Sequence, residues 1–579
     1  MAPKKAKAKA APAAPAAASA GRSKKKATSE AASASSPGGR GKRKAQPEAP
    51  QGGLLRWFTP TKAATTPTSD VQGTPAGSQG SGAGDAGESS APPPVLASAP
   101  PTPAPEDGGA STAAASQAAS EAAAEGAPQD ADQDLRDDGI CAGRQDFSEV
   151  WSSDKFGRGA SDWLKEYAGV YASRLQRLRP PIEAHARAVW PQVSLLPAIR
   201  EYRRRSWGTE VALVGILFKD MKSRPHVATL YRDAPVLEGA FLPEVRRTGP
   251  GCLCSDKDVM WLQDGTTRME LTMPAEWCAQ LATGFVVAVR GWASHDGRFS
   301  VKHLCLAKIP PPPPLVLGQP QAGAADGHSP PLLALVSGLA LGAAAPELAE
   351  ARGRAVDFLL QSSQVQRLIV CGGLLAEEVT AGGLQAAAVR SALEEADELL
   401  AKLAAVLPVD VMPGPHDPTN LSLPQLPLHP YLFKRLRKCR SFKSVSNPYE
   451  CSLRGGFRVL GHSGQPVEDL LRCTRLSSPI QALQCSLEGL HLAPTAPDSL
   501  PAQPRTGGDA FVIDAVPHIL FSGGHDAEDH QWYAPTQSGL GTTCICVPAF
   551  HASPQLVLVN LHNPRDVHVP HFGRVGPGS

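Results

Sequence analysis

Long apolar runs, closely paired cysteines and, over the first 144 residues, aromatic side chains are what this sequence has little of. No uncharged apolar stretch reaches the ~20 residues that a helix needs to cross a bilayer. The N-terminus holds no apolar core of the secretory kind, so no such leader is expected. None of the twelve cysteines forms a C-x-x-C pair, which removes the usual zinc-finger and ribbon spacings. Two C-x-C pairs occur, Cys252/Cys254 and Cys544/Cys546. The second lies in the apolar stretch 543–547 and reads as strand core rather than as ligands. Reduced, intracellular cysteines are the expectation.

Residues 1–144 are mostly Ala, Pro, Gly, Ser and charge. Such a stretch cannot bury enough apolar surface to offset chain entropy, so a disordered tail is expected. The net charge of +2 conceals an asymmetry. Lys4, Lys5, Lys7, Lys9, Lys24, Lys25, Lys26, Lys42, Arg43 and Lys44 crowd the first fifty positions, against Glu30 and Glu48. Asp130, Asp132, Asp134, Asp137 and Asp138 follow. A basic tail turning acidic suits an interaction with nucleic acid or with an import receptor. The clusters Lys24-Lys25-Lys26 and Lys42-Arg43-Lys44 look more like nuclear import signals than like an organellar transit peptide, so a nuclear protein is expected.

From about Asp146 the pattern becomes that of a folded protein. Residues 145–204 read as a helical segment, with Tyr167, Tyr171, Leu175 and Leu178 at helical spacing and Pro180-Pro181 interrupting the run. Residues 205–310 read as strands: 211–218, 259–262, 268–271, 285–289 and 299–306. Asp264-Gly265 and Asp296-Gly297 sit between strand-like runs and predict two hairpins. Five or so strands in about a hundred residues fit a small closed barrel of the OB type. The run Pro310 to Pro314 reads as a stiff linker. Residues 325–579 then alternate strands (332–336, 365–370, 409–412, 457–460, 518–521, 543–547, 556–559) with an amphipathic helix over 384–407. The expected class is therefore a multidomain α+β chain: disordered tail, OB barrel and an α/β domain whose strand-end loops carry any chemistry.

Those loops are chemically bare. Val336-Ser337-Gly338-Leu339-Ala340-Leu341-Gly342 resembles the first motif of calcineurin-like metallophosphoesterases, which reads S-D-x-H-x-G. Gly338 and Ala340 stand where that family has its ligating Asp and His. Cys371-Gly372-Gly373 resembles the family's G-D, with Gly373 in place of the bridging Asp. Pro413-Gly414-Pro415-His416-Asp417 resembles G-N-H-D, with Pro415 in place of the Asn and with His416 and Asp417 retained. His525, in Gly523-Gly524-His525-Asp526, resembles the closing G-H-x-H in a register ambiguous by one residue. A two-metal site holds cations about 3.5–4 Å apart with several carboxylate, amide and imidazole groups. Gly and Ala offer none, and His416, His462 and His525 are too few to replace them. No metal, no cofactor and no phosphoesterase activity are expected.

A barrel followed by an inactivated phosphoesterase domain resembles the small, or B-type, subunits of eukaryotic replicative DNA polymerases. Pro413-Gly414-Pro415-His416-Asp417-Pro418-Thr419-Asn420, Leu428-His429-Pro430, Ser446-Asn447-Pro448-Tyr449, Gly461-His462-Ser463-Gly464-Gln465 and Pro494-Thr495-Ala496-Pro497-Asp498 are similar to the delta branch in order and spacing. So are Ser173-Arg174-Leu175 and Val214-Gly215-Ile216-Leu217-Phe218-Lys219. The resemblance covers residues 146–572. It implies a scaffold that binds the C-terminal cysteine-rich domain of the polymerase catalytic subunit and a winged-helix accessory subunit, meeting DNA only indirectly.

The tail adds one motif. Gln51-Gly52-Gly53-Leu54-Leu55-Arg56-Trp57-Phe58 resembles the box Q-x-x-[LIM]-x-x-aromatic-aromatic that docks on the sliding clamp PCNA. Leu54, Trp57 and Phe58 fall on one face of a single helical turn, and Gln51 precedes it. Two other functions compete. An active phosphodiesterase or nuclease is opposed by Gly338, Ala340, Gly373 and Pro415. A single-strand binder working through the barrel wants aromatic platforms in a basic groove. Trp261, Trp292 and Phe299 are available there, but basic residues are not concentrated around them.

Overall fold

The computed structural model describes residues 149–157, 167–204, 208–224, 251–265, 267–315, 330–381, 386–505, 507–534 and 539–574. All of them belong to the compact unit Gln51–Ser579.

The first described strand, β1 (Glu149–Ser152), precedes a 22-residue helix, α1 (Ala168–Val189). The barrel follows: β2 (Ser194–Leu195), β3 (Val211–Asp220), β4 (Val259–Gln263), β5 (Arg268–Thr272), the short helix α2 (Ala275–Gln280), β6 (Val286–Ala293) and β7 (Phe299–Cys305). Their order is β2-β3-β4-β5-β7-β6, and β3 also pairs with β6, which closes the sheet on itself. Closure removes the open edges and gives Leu213, Leu217, Val287, Val289 and Phe299 a common interior, where each is fully buried. Both expected hairpins form. At the first, the Asp264 carboxylate accepts the N–H groups of Thr267 (2.9 Å) and Ile199 (2.7 Å).

Helix α1 corrects the expectation that Pro180-Pro181 interrupts the helix. Both prolines lie inside it. Each lacks an N–H and strains the preceding turn, at about 3 kcal/mol. The helix persists because Leu178, Ile182 and Ala186 on either side are buried against the barrel. Tertiary burial outweighs the local propensity.

Beyond the barrel, two six-stranded sheets pack face to face. The first contains β8 (Leu332–Val336), β9 (Val365–Cys371), β10 (Val409–Met412) and β11 (Phe442–Ser444), all parallel. It ends in β17 (Val557–Asn560) and β18 (Val567–His568), both antiparallel to their neighbours, giving the order β11-β10-β9-β8-β17-β18. The second contains β12 (Tyr449–Leu453), β13 (Phe457–His462), β14 (Ile519–His525), β15 (Asp529–Tyr533) and β16 (Thr542–Pro548), in the order β1-β12-β13-β14-β16-β15. Leu333, Leu335, Ile369, Phe457, Phe521, Ile545 and Val557 fill the space between the sheets.

Alternate residues of β8, Leu332, Ala334 and Val336, face the other way. There α3 (Pro346–Gln361), the short α4 (Glu377–Ala381) and α5 (Ala386–Ala404) cover the first sheet. Burial on both faces explains why these strands read as continuous apolar runs. On the outer face of the second sheet lie α6 (Gln465–Cys473) and α7 (Pro479–Glu488). One apolar cluster runs from Leu460, Leu520, Cys544 and Cys546 through Leu483 and Leu487 into Phe285 and Val287 of the barrel segment. Barrel and sandwich therefore share a core.

Two features depart from a simple succession of domains. Strand β1 pairs with β12, so the stretch before α1 contributes to the far sandwich as well as to a helical segment. The proline run is also anchored: His518 donates from Nε2 to the Pro313 carbonyl at 2.8 Å, because its Nδ1 already accepts the Arg458 N–H. Among the described residues no helix is long and apolar enough to cross a membrane.

Candidate functional site

The strand-end loops after β8, β9, β10, β13 and β14 converge at one end of the sandwich, where α/β sheets place their ligands. Here the loops meet backbone to backbone. Gly338 donates its N–H to the Gly372 carbonyl at 2.9 Å, Ala340 to Gly373 at 3.2 Å and Leu341 to Leu374 at 2.9 Å. Gly338 and Gly373 have positive φ, +63° and +68°. A Cβ on Gly373 would stand 2.9 Å from the Gly338 Cα, and one on Gly338 would stand 3.0 Å from the Cα and Cβ of Ala549 and 3.1 Å from the His551 Nδ1. At Gly373 neighbouring main chain takes the space that an aspartate side chain would need, and at Gly338 the room is tight.

The other expected positions are equally unlike a metal centre. Ala340 is buried, with φ +49°. Pro415 is half-buried and offers no donor atom. His416 turns toward Glu377, its Nε2 3.7 Å from that exposed carboxylate. His462 is fully buried: Nδ1 accepts the Gly464 N–H at 3.1 Å, while Nε2 has no partner among the described residues. Burial, with His525 nearby, lowers its pKa to about 3. His525 pairs with the Ser522 hydroxyl at 2.7 Å, and burial lowers its pKa to about 4. Among the described residues no three His, Cys, Asp or Glu side chains are grouped to hold a metal ion. The donor set does not fit a two-metal centre.

Asp417 has become a structural anion. Its buried carboxylate accepts the N–H groups of Leu374 (3.1 Å), Leu375 (2.9 Å) and Gly414 (2.6 Å), tying the β10 loop to the β9 loop. Burial raises its pKa, against the pull of those N–H groups. Asp417→Ala should strand three buried donors. Each bond to a charged group is worth about 1.5–3 kcal/mol, so a loss of ~3 kcal/mol or more is expected in urea denaturation. A loss below about 1 kcal/mol would mean that the carboxylate does not organise the loops.

Polar residues complete the cluster: Asn447, Ser463 and Gln465, which fall in the motifs given above, and Gln425, which does not. The Gln425 side chain donates to the carbonyls of Gly414 and Asn420, both at 3.0 Å. Its own carbonyl accepts from Asn447 (2.7 Å) and Gln465 (2.9 Å). Asn447 accepts the Ser463 N–H at 3.1 Å, and Ser463 donates its hydroxyl to the Pro413 carbonyl at 2.7 Å. Their only signal was that Asn447, Ser463 and Gln465 fall in motifs at strand ends. Amide and hydroxyl groups now hold together loops that ligands would otherwise span.

A second buried cluster joins the domains. Arg174 on α1, wholly inaccessible, donates through Nε to Asp509 at 2.6 Å. Its terminal nitrogens donate to the carbonyls of Gly284 (3.2 Å), Pro494 (2.7 Å) and Ala496 (2.6 Å). His491 donates from Nε2 to the same carboxylate at 2.8 Å, its Nδ1 accepting the Ala493 N–H. Burial, then Arg174, lowers the His491 pKa to about 4, so the imidazole is neutral at pH 7. Burial opposes ionisation of Asp509, but its neighbours overcome this and hold it well below the usual carboxylate range. Lys219 repeats the theme, donating from β3 to the carbonyls of Leu281 (3.2 Å) and Cys473 (3.0 Å).

The tail motifs, Gln51, Leu54, Trp57 and Phe58 with Lys24, Lys25, Lys26, Lys42, Arg43 and Lys44, lie outside the described residues.

A closed OB barrel fused through a shared core to a phosphoesterase-like sandwich defines the class to which this chain conforms. Comparison with known proteins agrees. Residues 166–304 match the family model described as "DNA polymerase delta subunit OB-fold domain", and residues 333–530 match the family model for the B-type subunits of DNA polymerases alpha and epsilon. The chain is 30% identical over 416 residues to "DNA polymerase delta subunit 2" of Drosophila melanogaster, covering 69% of this chain and 92% of that one. To the "DNA polymerase delta small subunit" of Arabidopsis thaliana it is 30% identical over 414 residues, covering 69% and 89%. The rice protein of the same name is 29% identical over 414 residues, covering 69% and 91%. The chain belongs to the family of DNA polymerase delta small subunits.

Proposed function

We propose that the chain is a non-catalytic scaffold of a delta-type replicative polymerase, working in DNA replication and repair in the nucleus. It would hold the cysteine-rich C-terminal domain of the catalytic subunit and a winged-helix subunit, and reach the sliding clamp through its tail. The observation that carries this reading is that the similarity to delta small subunits spans barrel and sandwich together, over about nine-tenths of those relatives' length. The strand-end loops support the non-catalytic part, since Gly338, Ala340, Gly373 and Pro415 offer no ligating atom and main chain occupies the room a side chain at Gly373 would need. The Lys24–Lys26 and Lys42–Lys44 clusters support the nuclear part.

The test is co-purification of the tagged full chain from its own cells, with mass spectrometry of what is retained. A polymerase catalytic subunit and a winged-helix subunit are expected in near-stoichiometric yield. A chain beginning at Asp146 should retain both, because the composition of residues 1–144 offers little apolar surface to bury. Recovery without any polymerase subunit would overturn the scaffold reading.

A further inference from the structure

The segment between β10 and β11 carries charge that neither the closed site nor the shared core uses. From Pro418 to Tyr449 there is no acidic residue, while Lys434, Arg435, Arg437, Lys438, Arg440 and Lys443 fall within ten positions. This stretch is firmly built. Phe433 and Leu436 are fully buried among the residues that cover the first sheet. The Asp397 carboxylate on α5 accepts the backbone N–H groups of Lys434 (3.1 Å), Arg435 (2.8 Å) and Leu436 (3.0 Å). That carboxylate is consumed by main chain rather than by the basic side chains.

The acids facing the segment neutralise only part of it. Glu394 and Glu398 of α5 pair with Lys434 (2.8 Å) and Arg435 (3.5 Å), and Glu149 of β1 pairs with Lys443 (2.6 Å). Arg437 and Arg440 are exposed and form no ion pair among the described residues. Arg437 instead lies over the ring of Tyr431, 5.9 Å from its centroid, and the His429 ring centroid is 5.1 Å from that of Tyr431. Tyr431 is 78% exposed, more than any other large apolar or aromatic side chain described. It stays outside although Leu428 and Phe433, close by in sequence, are fully buried.

An aromatic face held in solvent beside uncompensated guanidinium groups is the pairing that single-stranded nucleic acid requires: bases stack on the ring and phosphates meet the cations. We propose that the exposed segment carrying Tyr431 and Arg437, with Arg440 three positions further on, binds single-stranded DNA. The proposal rests on the polymerase reading above for the source of the strand. It differs from binding through the barrel, where Arg268 already covers Phe218 and Trp261 at 4.3 Å from each ring. An acidic peptide would satisfy the charges but would leave the exposed ring unexplained.

The full chain should be mixed with a fluorescent oligothymidylate of about twenty nucleotides bearing photoreactive 4-thiothymidine. Crosslinked peptides are then mapped, which separates this face from the basic tail, and binding is followed by anisotropy at several salt concentrations. Crosslinks within 429–440 are expected. Tyr431→Ala should weaken binding at this face about tenfold. Arg437→Ala with Arg440→Ala should lower the salt slope by roughly 1.4, at ~0.7 for each single-strand phosphate contact. All three side chains are exposed, so thermal melting should match the parent chain. Crosslinks confined to the tail, or variants that bind like the parent, would overturn the proposal. So would polyglutamate that competes as well as the oligonucleotide, which would make this an acidic-peptide surface. Co-purification of the catalytic subunit is read separately, so failure of the scaffold reading would be seen apart from failure here.

Discussion

Replacing Arg174 with alanine is expected to cost about 3–5 kcal/mol of stability, the range for removing one partner of a buried ion pair. The guanidinium reaches four partners: the Asp509 carboxylate and the carbonyls of Gly284, Pro494 and Ala496. Gly284 lies beside the barrel strand β6, and the other three lie in the segment between α7 and β14. Deleting the side chain leaves the carboxylate buried with His491 and the Phe511 N–H to satisfy it. Desolvation of an anion then dominates, offset only in part by protonation of His491, whose pKa Arg174 had helped to lower. The melting temperature should fall by roughly 5 °C in a fold of this size. Barrel and sandwich should also become separable by limited proteolysis between them. Asp509→Asn in the same chain should recover part of the loss, since it removes the stranded charge. A melting temperature within about 2 °C of the parent would show that the shared apolar core alone holds the domains together. A double variant no better than Arg174→Ala would deny the electrostatic account.

The other large effect is expected in the tail. A peptide spanning residues 46–66 should bind PCNA with modest affinity, on the order of micromolar, because a short free peptide loses entropy when it orders on a partner. Trp57→Ala with Phe58→Ala should abolish detectable binding. Buried aromatic anchors supply most of the energy in a small interface, and at this spacing both rings would fall on one face of a single helical turn. Gln51→Ala should weaken binding less, since one hydrogen bond contributes about 0.5–1.5 kcal/mol. Assembly with the catalytic subunit should be untouched. In a holoenzyme with a second clamp motif, the loss would be read as reduced avidity on the three-subunit ring. Isothermal titration of the two peptides decides it: equal heats from both, or none from the parent, would leave Gln51 to Phe58 without a role at the clamp.

Strands with two buried faces were legible because they are continuous apolar runs: 332–336, 365–370 and 543–547 all appear as β8, β9 and β16. The hairpins were legible because Asp-Gly fixes a turn from within. Strands β1, β11, β15 and β18 were not. Each lies at or next to a sheet edge, with partly exposed residues and no strong alternation. Pro180 and Pro181 misled for the opposite reason, since their local rule is strong and the packing that overrides it comes from strands far along the chain.

At the strand-end site, the chain by itself determined that ligands are missing, because Gly338, Ala340, Gly373 and Pro415 carry no donor in any conformation. It also determined a barrel followed by an α/β domain, through apolar periodicity and turn residues, which act over a few positions. Tertiary structure alone decided what became of the emptied site: glycine backbones in contact, with Asp417 and an amide network holding them. It alone decided that Arg174 meets Asp509, 335 positions away. It also decided that Tyr431 stays in solvent between Leu428 and Phe433, which do not. Contacts between distant positions depend on the register of whole sheets against one another, and no local pattern encodes that register.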